Sequence, residues 1–487
     1  MPRPALVRYA GLAGSLSLAV AAYRGGAHRP WQPTMTPGTI FAGRDGWLTP
    51  LAWLAGTALL IGAWWLGRRH VPSARWAYLT AALWAVPLLP FLPLGSYDAY
   101  SYACQGWQQA AGLDPYAGGV DLLGCPWRDA VAPTWFDSPA PYGPVFLLLA
   151  GVAAKLGGSL AGTVAALRII ALLGVALIAA CLPRLARRAG VPPGRAVWLA
   201  LACPLIPIHL ISGAHNDAVM VGFLVAGLTV ALRGRAWAAG ALLGLAVGVK
   251  ATAIVVVAFA LLLIIRRSAG DRPLRTGEPA GRTRIPWQHG GAAAELLAGL
   301  VVALGLPSLV SGRGFGWVDG LAGSGASVQW TAPATAVGMT IDLVGPDAVP
   351  VTRVLGIVAL AGVLGWLWWR ARDRDALLYA GYALAATVLL APVFHPWYAT
   401  WALPVLAAAL RRETRWLTVP CAVASALCLP DGYNLALSVK SQGAIAMTAL
   451  LCYLAIRLLK ARHEAKNRRR LAARAAHAPD RVPGGDA

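Results

Sequence analysis

The stretch YGPVFLLLAGVAAKLGG, residues 142–158, decides how this chain is threaded. It is apolar, yet shorter than the roughly 20 residues a bilayer-crossing helix needs, and it carries Lys155. Around it stand longer apolar runs at 7–23, 47–67, 75–92, 161–183, 194–211, 215–232, 291–310, 351–369, 376–393, 396–410, 415–430 and 442–460. If 142–158 crosses, Arg184, Arg187, Arg188 and every later basic loop are placed outside. If it lies in the outer interface, the clusters at Arg68–Arg69, Arg184–Arg195, Arg233–Arg235, Arg266–Arg284, Arg370–Arg374, Arg411–Arg415 and beyond Lys460 share one side with Arg3 and Arg8. Basic loops stay cytoplasmic, so 142–158 is read as an interfacial helix.

Composition agrees with a membrane body. Of 487 residues, 58% are hydrophobic and only 13% charged, against about a quarter charged in soluble domains. Only helices with internally satisfied backbones suit such runs in lipid. The expected fold is an all-α polytopic membrane protein with about 12 spans. The segment 236–265 joins Arg235 to Arg266, both required inside, so it folds back as a short helical hairpin around Lys250. Residues 1–460 form the membrane body and 93–160 a large external loop with its interfacial helix. Residues 461–487, basic and without an apolar face, are expected to be a disordered cytoplasmic tail. The first span has a poor cleavage context and is read as retained. The net charge of +22 is a topology label and a contact for anionic membrane lipids; it does not signal nucleic acid.

The outer side carries the chemistry. Residues 93–141 contain Asp98, Asp114, Asp121, Asp129 and Asp137 against the single Arg128, with many aromatics. Asp98, in GSYDAYSYACQGW (95–107), follows a span end by a few residues, near the plane of the lipid phosphates. SGAHNDAVM (212–220) brings His215 and Asp217 to the same side, FHPWYATW (394–401) brings His395, Trp397 and Tyr398, and GSGASVQWTAPAT (323–335) adds a polar aromatic stretch. Cys104 and Cys125 are the external cysteines, and an oxidising exterior favours a bridge between them.

The ordered set DAYSY, GLDPY, PYGPV, HNDAVM and HPWYATW, spread over residues 95–401, resembles the polyprenol-phosphomannose-dependent alpha-1,6-mannosyltransferases of actinobacteria, membrane glycosyltransferases of the GT-C architecture. The resemblance implies a polyprenyl-phosphate-linked mannosyl donor and a mannan or glycolipid acceptor in lipomannan-type envelope biosynthesis. It also implies a plasma-membrane location with the site facing out and both ends inside, and an acidic residue of the first large external loop as catalytic base, which Asp98 matches. A beta-linked donor and alpha-linked product need one inverting displacement and one base.

Such a reaction needs a base for the acceptor hydroxyl and cations for the phosphate. His215, Asp217 and His395 join Asp98 as candidate catalytic groups. Arg168, Lys250 and Arg353 are candidates for the phosphate, and Tyr97, Tyr100, Tyr116, Trp397 and Tyr398 for the substrate. Structural alternatives stand beside these: Asp98 pairing with Arg128, His215 and Asp217 capping the helix that starts near 216, and Arg168 in an ion pair. No cofactor is required; a divalent ion at Asp98, His215 and Asp217 is left open, because no His-x-x-x-His or Cys pair supports it. Another lipid-linked sugar, arabinose or glucose, fits the same chemistry. A transporter is the rival class, but the span centres lack the acidic residues it would need.

Overall fold

The computed structural model describes residues 3–31, 39, 46–268, 290–323, 327–412 and 414–476. Among them every regular element is helical, and one isolated antiparallel bridge pairs Cys428 with Asn434. Helices α1 (Pro4–Gly25) and α2 (Leu48–Gly67) lie along each other. Helix α3 (Ala74–Ala85) is capped by Ser73, whose hydroxyl accepts from the Trp76 amide. The excursion that follows holds α4 (Asp98–Ala110), the single turn α5 (Val120–Leu123) and α6 (Pro144–Gly157). Then come α7 (Leu160–Arg188), α8 (Pro193–Leu201), α9 (Asp217–Ala231), α10 (Ala236–Val249), α11 (Val257–Ser268) and α12 (Gly290–Val310). Helices α13 (Trp317–Gly323), α14 (Pro333–Ile341), α15 (Val349–Ala371), α16 (Ala376–Leu390), α17 (Ala399–Ala409), α18 (Arg415–Ala426) and α19 (Lys440–Ala476) complete the chain.

Each of the expected apolar runs contains a helix, but not each helix is long. Among the described residues, six helical stretches suffice by length and composition to cross a membrane: α1, α2, α7, α12, α15 and Leu435–Ala465, which includes most of α19. The run expected at 194–211 is broken: α8 and a π-helical turn, Ile206–Ser212, meet at 63°. Pro204 and Pro207 sit at that break, where each removes a backbone donor. Counted as one span, the pair makes a seventh.

The helix ends sort into two poles. At one, arginines cap orphan carbonyls: Arg195 donates to Leu410 and Arg411, Arg411 to Ala189, and Arg266 to Ala371 and Arg372. Helix C-termini favour such cations. A Cβ on Gly234 would lie 3.5 Å from the Arg267 side chain, so the two ends of 236–265 meet at this pole and Lys250 marks the far tip. At the opposite pole lie the excursion, the turn at Ser212–Asp217, Lys250 and the segments before α17 and α19.

Residues 142–158 belong to that second pole. Helix α6 runs parallel to α4, with Tyr102 on Phe146 (centroids 5.0 Å apart) and Gly106 on Ala150. A Cβ on Gly106 would sit 2.3 Å from the Ala150 carbonyl oxygen, so only glycine permits this approach. A tight turn at Gly157–Gly162 then sends the chain back along α7. Cys104 of α4 is disulfide-bonded to Cys125, tying the excursion to its own helix.

Residues 461–476 are helical rather than disordered, because α19 continues through them. They are rich in Ala and Arg, good helix formers. No Pro or Gly intervenes between Gly443 and Pro479, and extending an existing helix needs no new nucleus. Residues 477–487, the loop 269–289 and positions 324–326 of the 323–335 stretch lie outside the described residues.

A candidate active site at the aromatic pole

Asp98 opens α4, where the free N–H groups of a helix start favour an anion. Its own amide donates to Ser96 Oγ at 3.0 Å. One turn later, Tyr102 places its hydroxyl 3.5 Å from Asp98 Oδ2 and 3.3 Å from His215 Nδ1. That imidazole nitrogen is 3.8 Å from Asp98 Oδ2 and 3.9 Å from Asp217 Oδ2. The side chains of His215 and Asp217 are fully buried, and that of Asp98 is 13% exposed. Burial pushes the Asp98 carboxyl up to about 6, against the opposing pull of the Lys250 ammonium.

Asp217 does not cap α9, whose N-terminus has no side-chain cap. Its Oδ1 instead accepts from Lys250 Nζ at 2.8 Å and from the Trp401 indole. Lys250 interrupts the chain after α10 in an extended conformation and lies over the rings of Tyr398 (4.6 Å), Trp401 (5.2 Å) and Tyr142 (5.8 Å). Such placement lets a cation be buried at lower cost. Trp397 is sandwiched between His395 (4.7 Å) and His215 (4.1 Å).

Two cavities meet at these groups. The smaller, about 180 Å³, is walled by Lys250, Tyr142, Tyr398 and Trp401 with apolar Leu321 and Val393. The larger, about 400 Å³, is walled by Tyr97, Trp31, Gln329 and the 428–434 loop. Asp98, Trp135, His395 and Trp397 line both. The Asp98 carboxyl group thus stands where the two cavities join.

Residues 8–266 match the family profile described as alpha-(1->6)-mannopyranosyltransferase, N-terminal domain, and residues 330–458 match the one described as MptB C-terminal domain. The chain is 36% identical to alpha-(1->6)-mannopyranosyltransferase A of Mycobacterium tuberculosis, over 73% of this chain and 70% of that relative. It is 31% identical to alpha-(1->6)-mannopyranosyltransferase B of Corynebacterium glutamicum, over 83% and 73%. It is 30% identical to alpha-(1->6)-mannopyranosyltransferase A of Corynebacterium glutamicum, over 74% and 78%. The chain belongs to the alpha-(1->6)-mannopyranosyltransferase family. It is a mannosyltransferase, and its apolar helices make it a membrane protein.

For this mannosyltransferase, the structure gathers Asp98, His215, Asp217, His395, Lys250, Tyr97, Trp397 and Tyr398 at one place. It does not bring Arg168, Arg353, Tyr100 or Tyr116 to either cavity. The Arg168 guanidinium donates to the carbonyls of Ser212 and Leu89, groups that helix ends leave unsatisfied. Arg353 donates to Thr335 Oγ1 and the Ser327 carbonyl, bracing a cavity wall from behind. The Tyr100 hydroxyl donates to Ala27 O and the Tyr116 hydroxyl to Tyr142 O. Arg128 pairs with Asp121, not Asp98.

Tyr102, Tyr142, His209 and Trp401 were not singled out from the sequence. Tyr102 stands four residues after Asp98 and Trp401 four after Trp397, so helical spacing could have marked both. His209, buried beside Trp397 (5.6 Å) with both ring nitrogens unpartnered, lies inside the run expected at 194–211, where only the rarity of histidine could have marked it. As for a divalent ion, no group of three or more His, Cys, Asp or Glu among the described residues has the spacing to hold one, and Asp217 already takes two donors.

Proposed function

We propose that this mannosyltransferase moves a mannosyl residue from a polyprenyl-phosphate-linked donor to a mannan or glycolipid acceptor, with inversion, at the outer face of the plasma membrane. The observation that carries this reading is the position of Asp98 where the two cavities join. The smaller cavity combines a cation, aromatic rings and apolar walls, which suits a sugar phosphate attached to a lipid. In the reaction, an acceptor hydroxyl oxygen attacks C1 of the mannose as the C1–O bond to phosphate breaks. The bonding electron pair leaves with polyprenyl phosphate, and the hydroxyl proton passes to the Asp98 carboxylate. Lys250 offsets the charge growing on the leaving phosphate. Tyr102 and His215 hold the carboxylate in place as positioning residues.

The orientation rests on the two poles. The arginine-capped pole is assigned to the cytoplasm, with Arg3 and the end of α19, and the aromatic pole to the outside. The parallel course of α6 beside α4 supports an interfacial 142–158, and the membrane body is read as a GT-C-type fold whose shorter helices also contribute to crossing. The test uses membranes containing the full chain, radiolabelled mannosyl phosphoryl polyprenol and an octyl α-1,6-mannobioside acceptor. A labelled trisaccharide glycoside is expected, and arabinosyl and glucosyl phosphoryl polyprenols should not replace the donor. Donor crossing the membrane without covalent product would sink the reading and favour a transporter.

A further inference from the structure

The larger cavity contains groups that the donor chemistry leaves unused. One wall is the loop CLPDGYN, residues 428–434, closed by the Cys428–Asn434 bridge and by the Leu429 amide donating to Tyr433 O at 2.8 Å. The loop is fastened to the segment that carries Asp98. Gly95 N–H donates to Pro430 O at 3.1 Å, and a Cβ on Gly432, which has φ +89°, would touch the Ser96 Cα at 3.1 Å.

Two of its side chains are polar and buried while lining the cavity. Asp431 is 3% exposed and accepts the Tyr433 amide on Oδ1. Asn434 is 6% exposed; its Oδ1 accepts the Ala436 amide, but its Nδ2 has no hydrogen-bond partner. A buried amide N–H group without a partner is uncommon and costly, and here it lines a space large enough for a ligand. Gln329 lines the wall contributed by another segment, and the rings of Trp31, Tyr97 and Tyr433 complete it. The volume, about 400 Å³, falls in the range of about 300–1,000 Å³ usual for small-molecule sites. A few placed polar groups among aromatic faces suit a polyhydroxylated ring, and the lining residues combine one cation, Lys440, with the carboxyl groups of Asp98 and Asp431.

We propose that the larger cavity is the acceptor subsite, where Asn434 and Asp431 hydrogen-bond ring hydroxyls of an α-linked mannose chain and Tyr433 covers its face, presenting one hydroxyl to Asp98. This rests on the transfer reaction above. It assigns Asn434, Asp431 and Tyr433 to acceptor specificity rather than to catalysis.

The experiment compares wild type, Asn434→Ala, Asp431→Asn and Tyr433→Leu as full-length protein in detergent. Asp431→Asn keeps the oxygen that accepts from Tyr433, and Tyr433 is only half-buried, so at least this last variant should fold. Each variant should raise the KM for octyl α-1,6-mannobioside about three- to tenfold, the worth of one hydrogen bond or contact, with the donor KM within about twofold of wild type. A rise in donor KM, or no change in either, overturns the assignment. Titration of the disaccharide alone, followed by tryptophan fluorescence, separates the two readings. If wild type binds it, Asn434→Ala weakens that binding, and no transfer occurs, the transfer reading fails while the glycan subsite stands. If wild type transfers mannose but Asn434→Ala binds the disaccharide normally, the subsite fails alone.

Discussion

Lys250 Nζ lies 2.8 Å from Asp217 Oδ1, joining the far tip of the 236–265 segment to the first turn of α9. The Asp217 side chain is fully buried and that of Lys250 is 13% exposed. Removing one partner of such a pair strands the other charge, at a cost of about 3–5 kcal/mol. Lys250→Ala is therefore expected to lower the thermal midpoint in detergent more than Asp217→Ala, since it leaves the more deeply buried charge. A Lys250→Met, Asp217→Leu double variant should recover part of the loss. A midpoint unchanged by either single substitution would mean that the pair is not formed as described.

Asp98→Asn should reduce transfer by at least about a hundredfold, the low end for a lost general base, while melting and donor KM stay near wild type. The amide keeps the shape of the carboxylate, and the Asp98 backbone N–H keeps its bond to Ser96 Oγ. Turnover close to wild type in the labelled-donor assay would remove Asp98 from the mechanism.

The pH dependence follows from the same carboxyl. Burial raises it to about 6; Lys250, Ser96 and Tyr102 pull it down, and Asp217 pushes it up. His215 faces it as well. The base works only when deprotonated, so kcat/KM should rise about tenfold per pH unit below 6 and level off above it. Lys250→Met removes the main opposing pull, so the midpoint of its residual activity should move upward. A profile flat between pH 5 and 7 would contradict this assignment.

How far the sequence could lead depended on the kind of signal. Apolar runs report helices directly, since lipid leaves the backbone no other choice, and each expected run did hold one. Their lengths were less legible: Pro204 and Pro207 split one run, and helices as short as α17 are buried by neighbours rather than matched to a bilayer. Asp98, His215, Asp217 and His395 could be grouped because acids and histidines are rare in such a chain and fell near one pole. Lys250 was found by the same rarity. Arg168 and Arg353 line neither cavity, and the sequence alone could not separate an arginine bonded to protein carbonyls, as Arg168 is to Ser212 and Arg353 to Ser327, from one facing a phosphate. The loop at 428–434 escaped notice because its contacts with Ser96 and Gly95 are long-range and leave no periodic trace.

Cys104 and Cys125 close a loop with a sequence separation of 21. A loop of that size is worth about 3 kcal/mol in the chain-entropy account. Cys104→Ser with Cys125→Ser should lower the thermal midpoint and weaken transfer, since the bridge anchors α4 two residues beyond Tyr102. Maleimide labelling of denatured, unreduced wild type should leave both cysteines unmodified; equal labelling of the two would refute the bridge.

The last prediction concerns threading, on which the outward-facing site depends. If 142–158 lies in the outer interface, Val344, 93% exposed between α14 and α15, faces outside. If 142–158 crosses, everything after it inverts and Val344 faces the cytoplasm, whereas Leu122 in the preceding excursion stays outside in both cases. Exposed Arg187, at the arginine-capped end of α7, inverts oppositely to Val344. Single cysteines at Leu122, Val344 and Arg187 would be introduced with the Cys104–Cys125 bridge kept and Cys181, Cys203, Cys421, Cys428 and Cys452 replaced. In intact cells an impermeant maleimide should label Leu122→Cys and Val344→Cys, and Arg187→Cys only after lysis. Leu122→Cys and Arg187→Cys reacting in intact cells while Val344→Cys stays silent would place His215 and His395 on the opposite side from Asp98. No single cleft could then contain all three, and the proposed chemistry would fall with it.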